Sequence, residues 1–258
     1  MGRGSRPSGA ITVVAPVMLL IVLVALWWAG TAWTGVEAWR FPGPVAVARR
    51  AVDLLSQAST WQRIGVTALE ALLGSLAGAA VALPMSYAIA HSRVFQAAVE
   101  PFLGATQAIP AIALAPLLVL WVGYGLAPIV ALCALMVFFP ILVSSVLGLR
   151  HLDRDVLAAA ALDGASGWVM ARDIELPLAA PSILAGLRNG FTLSVTGAVV
   201  GEMVMGGSGL GGVLGQQRQN LDTPGMFVTI GVLCLLAMGA YSVIYRIEKG
   251  RRRAGQLD

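Results

Sequence analysis

The chain has 258 residues, 58% of them hydrophobic and only 12% charged, with a formal net charge of +4. Soluble globular domains carry about 25% charged residues, and here the apolar residues run in long blocks, so a soluble fold is excluded. The basic excess lies between and after those blocks instead of on one face, which points to orientation in a bilayer and away from nucleic acid.

Blocks of about 20 apolar residues are what a helix needs to cross the hydrocarbon core. Only a helix or a closed barrel satisfies its own backbone there. The expected fold is therefore an all-α integral membrane protein with about six transmembrane helices. A basic tail (residues 1–10, with Arg3 and Arg6) precedes the first block, about Ile11 to Trp33. That block is longer than the core of a signal peptide and reads as a retained first helix. The rest of the 11–60 region holds Phe41-Pro42-Gly43-Pro44 and then VAVARRAVDLLSQ, whose helical period puts Arg49, Arg50 and Asp53 on one side. An interfacial helix on the outer surface is expected there.

The main body, 61–247, carries the second span from about Ile64 to Ala90, the third from Phe102 to Val122 and the fourth from Leu126 to Leu149. A polar segment, 150–181, comes next. The fifth span covers about Ile183 to Val204 and the sixth Met226 to Tyr245, before a basic tail, 248–258. An even count puts both termini on one side, together with Arg93, Arg150, Arg154 and Arg172. The charge rule assigns that side to the cytoplasm, with Arg49-Arg50 on the outer side as an exception.

Within the spans, Gly74 and Gly78, Gly186 and Gly190, and Gly197 and Gly201 are spaced to let helix backbones approach closely. Pro84, Pro110, Pro116 and Pro140 interrupt spans and remove donors. Cys133 and Cys234 lie in apolar blocks and read as packing residues. With His91 and His151 at span ends, no metal site and no disulfide are expected.

The 150–181 segment opens with DVLAAAALDGAS, an alanine-rich helix that Gly164 stops. A second short stretch, WVMARDIEL, leads to Pro177 and Pro181, which stiffen the return to the membrane. The expected form is a small helix–turn–helix whose alanine face docks closely into a groove on a partner.

Here the pattern Ala159-Ala160, Gly164, Ile174-x-Leu176-Pro177 and Pro181 resembles the cytoplasmic "EAA" loop of permease subunits of ATP-binding cassette (ABC) importers. Flanking stretches agree, among them Ala108-Ile109-Pro110-Ala111, Trp121-Val122-Gly123-Tyr124-Gly125, Gly201-Glu202-Met203 and Gly209-Leu210-Gly211. They resemble the nitrate/sulfonate/taurine branch, which includes permeases for thiamine-precursor pyrimidines. The resemblance implies a type I importer permease fold and a bacterial inner-membrane location. It implies a non-catalytic subunit without cofactor, paired with a second permease copy. Two cytosolic ATPase subunits would bind the ATP, and an external binding protein would deliver a small solute. The coupling residues implied are Asp155, Ala158, Ala159, Ala160, Asp163, Gly164, Ala165, Ser166, Ile174, Leu176, Pro177 and Pro181. The family's glutamate is replaced by Ala158. Asp155, one turn earlier on the same face, either substitutes for it or simply favours the helix N-terminus.

Polar residues inside spans are candidates for a solute path. Asn189, Thr192 and Thr196 share one face of the fifth span, and Glu202 lies near its outer end. The competing reading makes Asn189, Thr192 and Thr196 interhelical glue and lets Glu202 reach the outer interface. Glu70, in the outer half of the second span, is expected near the wet interface.

Three rivals are weaker. Two GxSG stretches, at Gly164 and Gly206, precede no histidine that would activate the serine. No GxxxxGK[ST] phosphate loop occurs anywhere, and the stretch Gly206 to Gly212 reads as an outer turn. A stand-alone carrier or channel would show inverted repeats and midplane charges, and no repeat is visible.

Overall fold

The computed structural model describes residues 9–33, 37, 40–107 and 110–254. Every regular element among them is helical. In chain order these are α1 (Gly9–Trp33), α2 (Pro44–Leu55), α3 (Ala58–His91), α4 (Arg93–Gln107), α5 (Ala111–Val122) and α6 (Leu126–Arg150). The chain continues with α7 (Arg154–Leu162), α8 (Gly167–Val169), a π-helical stretch (Met170–Glu175), α9 (Leu176–Met205), α10 (Leu210–Gln219) and α11 (Thr223–Ala254). The rods Ala58–His91, Leu126–Arg150, Gly167–Met205 and Thr223–Gly250 are long and apolar enough to cross a membrane, and Val17–Thr31 and Ile112–Val122 are shorter apolar helices.

The centre of the bundle is α6, clasped between α3 and α9. All three glycine pairs close on it. A Cβ on Gly74 would strike Cys133, and one on Gly78 would lie 2.7 Å from the Ala134 carbonyl. On the other side Gly186 faces Ser144 and Pro140, Gly190 faces Val137 and Ile141, Gly197 faces Cys133 and Met136, and Gly201 faces Ile129. The glycine spacing thus brings two helices onto opposite flanks of one, at distances a methyl group would prevent. Cys133 is fully buried in this seam and its thiol donates to the Ser194 carbonyl at 3.5 Å, while the Ser194 hydroxyl donates to the Ala71 carbonyl at 2.6 Å.

Several expected boundaries move. The third span does not run unbroken from Phe102 to Val122: Pro110 caps a separate helix, α5, that begins at Ala111. Proline has no amide hydrogen and disfavours helix in the residue before it, so it starts a helix more readily than it continues one. The fifth span begins earlier than Ile183, because Pro177 sits in the first turn of α9, where proline is tolerated. Its rod reaches back through the π-helical stretch to Gly167. The turn after it contains a helix, α10, absent from the sequence expectation. The last helix runs on through the basic residues to Ala254.

The helix expected around Arg49, Arg50 and Asp53 is α2, and it is fastened at its polar side. Arg50 donates through Nε (3.0 Å) and Nη2 (2.6 Å) to Asp222, just before α11. One of the two arginines that ran against the charge rule is therefore paired with an acid.

Candidate functional site

The segment between α6 and α9 is built from three local rules. Asp153 caps α7, its Oδ1 accepting from the Asp155 amide at 2.9 Å. That satisfies one of the free donors at the helix start. The helix then ends where Gly164 takes φ +92°. The Gly164 amide donates to the Ala161 carbonyl and the Ala165 amide to the Ala160 carbonyl, at 3.1 and 2.9 Å. This is the Schellman pattern, and it requires a left-handed residue at the position Gly164 holds. Beyond the turn the chain winds through α8 and the π-helical stretch, where the Leu176 amide reaches back five residues to the Ala171 carbonyl.

The product is an excursion with no buried residue in α7 or α8. Asp155, Ala158, Ala159, Asp163, Gly164 and Ser166 are exposed, Ala160, Ala165 and Ile174 half-buried, and Leu176, Pro177 and Pro181 exposed along the start of α9. Asp155 and Ala158 lie on one open face, and Asp155 also stands in the first turn of its helix. Two large apolar side chains protrude, Leu162 at 89% exposed and Trp168 at 72%. An alanine face flanked by a bare leucine and tryptophan is a surface that loses water on meeting a partner.

Sequence reasoning missed how this segment is anchored. Glu175, its last residue, is almost buried and its Oε1 accepts from His91 Nε2 at 3.0 Å. His91 stacks on Tyr87 at a ring distance of 4.1 Å, and its Nδ1 lies 3.0 Å from the Tyr87 carbonyl. At the other end of the segment Arg150 donates to the Ile89 carbonyl at 3.4 Å. An acid immediately before a Leu-Pro helix start, with a histidine ending another span, was the available signal.

The candidate path residues separate into two groups. Asn189 and Thr196 are exposed on α9. Thr192 is half-buried and donates to the Arg188 carbonyl at 2.9 Å. Glu202 is 1% exposed and serves the chain internally. Its Oε1 accepts from the Thr67 hydroxyl at 2.6 Å, and its Oε2 accepts from the Gly211 amide at the start of α10. The Leu210 amide donates in turn to Thr67 Oγ1 at 2.8 Å. A Cβ on Gly209 would collide with the Glu202 carboxylate, and one on Gly211 with the Val199 carbonyl and Glu202 Cβ. The glycines of this stretch thus admit a carboxylate from their own chain. Glu70 is also inside the bundle, 3% exposed, with its carboxyl against that of Glu202. It is not at the wet interface, as its position in the sequence suggested. Arg188, overlooked in sequence, pairs with Glu248 at 3.4 Å and lies 4.8 Å from the centre of the Tyr241 ring. Intramembrane charges persist where they are paired in this way.

A bundle of long apolar helices packed through glycines, with one exposed, capped helical excursion, is the architecture of a multi-pass membrane protein. The chain belongs to the family described as the binding-protein-dependent transport system inner membrane component, which it matches over residues 71–253. It is 39% identical to the riboflavin transport system permease protein RibX of Chloroflexus aurantiacus, over 91% of this chain and 87% of the relative. It is 30% identical to the formylaminopyrimidine transport permease protein ThiX of Halalkalibacterium halodurans, over 90% of this chain and 92% of that one. An inward-facing structure of the MetNI methionine ABC transporter shares the fold, with a TM-score of 0.65 at 16% identity, covering 74% of this chain and 95% of that chain. The protein is a permease subunit of an ABC importer for a small solute, located in the bacterial inner membrane. Subunits of this family are generally non-catalytic and work with ATPase and binding-protein partners. The stand-alone carrier is thereby set aside.

Proposed function

We propose that residues 150–181 form the coupling segment that docks cytosolic ATPase subunits, with both termini on the same cytoplasmic side. Two copies of the chain together enclose the path. The observation that carries this reading is the exposed excursion itself, with Leu162 and Trp168 bare beside an alanine face. Such a surface suits helix-in-groove docking. The ATPases bind the ATP, and the permease contributes no bond-making group of its own. Asp155 supplies the negative charge of the contact in place of the glutamate that Ala158 lacks. Asn189 and Thr196, whose side chains are open on α9, line the solute path, whereas Thr192 and Glu202 use their polar atoms within the chain.

The solute is a flat nitrogen heterocycle of the flavin or pyrimidine class, rather than nitrate, a sulfonate or taurine. Relatives named for riboflavin and formylaminopyrimidine transport, similar over about nine-tenths of the chain, support this choice. The test is uptake into proteoliposomes holding the permease, its ATPases and its binding protein, with riboflavin, formylaminopyrimidine and taurine compared. ATP-dependent uptake of either heterocycle and none of taurine is expected. Uptake of taurine alone would overturn the assignment.

A further inference from the structure

The two ends of the stretch between α6 and α9 are both tied to the same short stretch at the end of α3. Arg150, the last residue of α6, holds the Ile89 carbonyl at 3.4 Å. Glu175, at its close, meets His91 Nε2 at 3.0 Å. Glu175 is thus the residue of the segment that reaches α3, where both His91 and the Tyr87 hydroxyl lie against its carboxylate.

The surroundings set this pair apart from an incidental surface contact. The Glu175 side chain is 10% exposed, and its second oxygen is buried with no partner. Burying a carboxylate with one oxygen unmet costs stability. An apolar pair of similar size would join the two helices at least as firmly. What a directional bond adds is a fixed register, and this one is fixed from both sides. Each ring nitrogen of His91 faces an oxygen, the Tyr87 carbonyl and the Glu175 carboxylate. A carboxylate and a carbonyl are both acceptors, so the doubly protonated ring fills the whole pattern. Glu175 is also the last residue of the π-helical stretch. One extra residue in the turn rotates the helix upstream of it by about 100° relative to the helix downstream, and such turns recur at functional sites. The bond to His91 therefore pins the lower edge of the widened turn while Trp168 and Leu162 stand free above it.

We infer that His91 and Glu175 are positioning residues for coupled transport: their bond makes the end of α3 move as one body with the coupling segment. Displacement carried through the widened turn to Glu175 then passes into α3, and through its glycine seam into α6, instead of entering α9 alone. This inference rests on the coupling reading above.

The test uses the whole transporter, this chain with its ATPase subunits, in lipid nanodiscs. Spin labels are placed at the exposed positions Arg172, in the π-helical stretch, and Val94, just beyond α3, in a background with Cys133 and Cys234 replaced. Distances are read without nucleotide and with magnesium, ATP and vanadate. In the native pairing the Arg172–Val94 distance is the same in both states. In His91→Leu and in Glu175→Leu it shifts on adding nucleotide, the double variant shifts no further, and the exchanged pair His91→Glu with Glu175→His restores the native result. A nucleotide-dependent distance in the native protein, or leucine variants that behave like it, would overturn the inference. Failure of the native chain to co-purify with its ATPases is a separate outcome; it would sink the coupling reading and this inference with it.

Discussion

Glu202→Ala tests whether the loop between α9 and α10 is held by a buried carboxylate. The side chain accepts from the Thr67 hydroxyl at 2.6 Å and from the Gly211 amide, with a longer bond from the Gly212 amide at 3.4 Å. Removing it leaves the buried Gly211 amide without an acceptor, while the Thr67 hydroxyl keeps only its longer bond to the Arg63 carbonyl at 3.3 Å. Such an orphan costs about 1–3 kcal/mol, and the lost side-chain volume adds to that. One effect opposes them, because Glu70 no longer crowds a second carboxyl. The expected net loss is about 2–4 kcal/mol, at the lower end of the combined cost. The assay is thermal unfolding in detergent, read by the reaction of a thiol dye with Cys133. That thiol is buried, while the exposed Cys234 is replaced by serine. At roughly 2–4 °C per kcal/mol for a chain of this size, the midpoint falls by about 5 °C or more. Glu202→Gln retains one acceptor and falls by less. An alanine variant that unfolds within 1 °C (about the assay's resolution) of the native protein would refute the reasoning, since no buried network loses its acceptor at no cost.

The glycine seam predicts an asymmetry. A Cβ on Gly186 lies 2.8 Å from Ser144 Cβ and 3.1 Å from the Pro140 carbonyl, whereas on Gly197 the nearest atom, at 3.0 Å, is the sulfur of Met136. Gly186→Ala should therefore destabilise by about 1–3 kcal/mol, and Gly197→Ala by clearly less, since methionine repacks easily; equal midpoints in the same dye assay would contradict this. For Arg50 and Asp222, partly exposed, a double-mutant cycle to alanine should give a coupling of about 0.5–1 kcal/mol. Fully additive single losses would show that the pair contributes nothing to holding α2. Asp155→Ala should reduce ATP hydrolysis stimulated by the binding protein at least about fivefold while leaving the thermal midpoint unchanged. A drop in midpoint with normal stimulation would assign Asp155 to the helix start alone.

Spans, the glycine seam and the turn at Gly164 were legible because each rests on a local rule. Apolar block length selects helices, glycine spacing selects close approach, and Gly164 marks the one position where a left-handed residue ends α7. Boundaries were less legible where proline has two meanings. Pro110 starts a helix, whereas Pro116 and Pro140 sit inside continuous ones, and only the neighbouring helices decide between these. The internal polar bonds were hidden for a different reason. Thr67 and Glu202 are 135 residues apart, and His91 and Glu175 are 84 apart. No periodicity links such positions, so Glu202 read as a path residue and Glu175 drew no notice. Helix α10 escaped because its first turn is glycine-rich, which reads as a turn when the carboxylate it wraps around is out of view.

The central claim is that the excursion between α6 and α9 is the docking surface for the ATPases, and crosslinking tests it most directly. Single cysteines are placed at Leu162, at the tip of α7, and at Trp61, near the opposite end of α3. Each variant is assembled with the ATPase subunits in membranes and treated with a short bifunctional thiol reagent. The account predicts an ATPase adduct from Leu162 and none from Trp61. An adduct from Trp61 with none from Leu162 would contradict it.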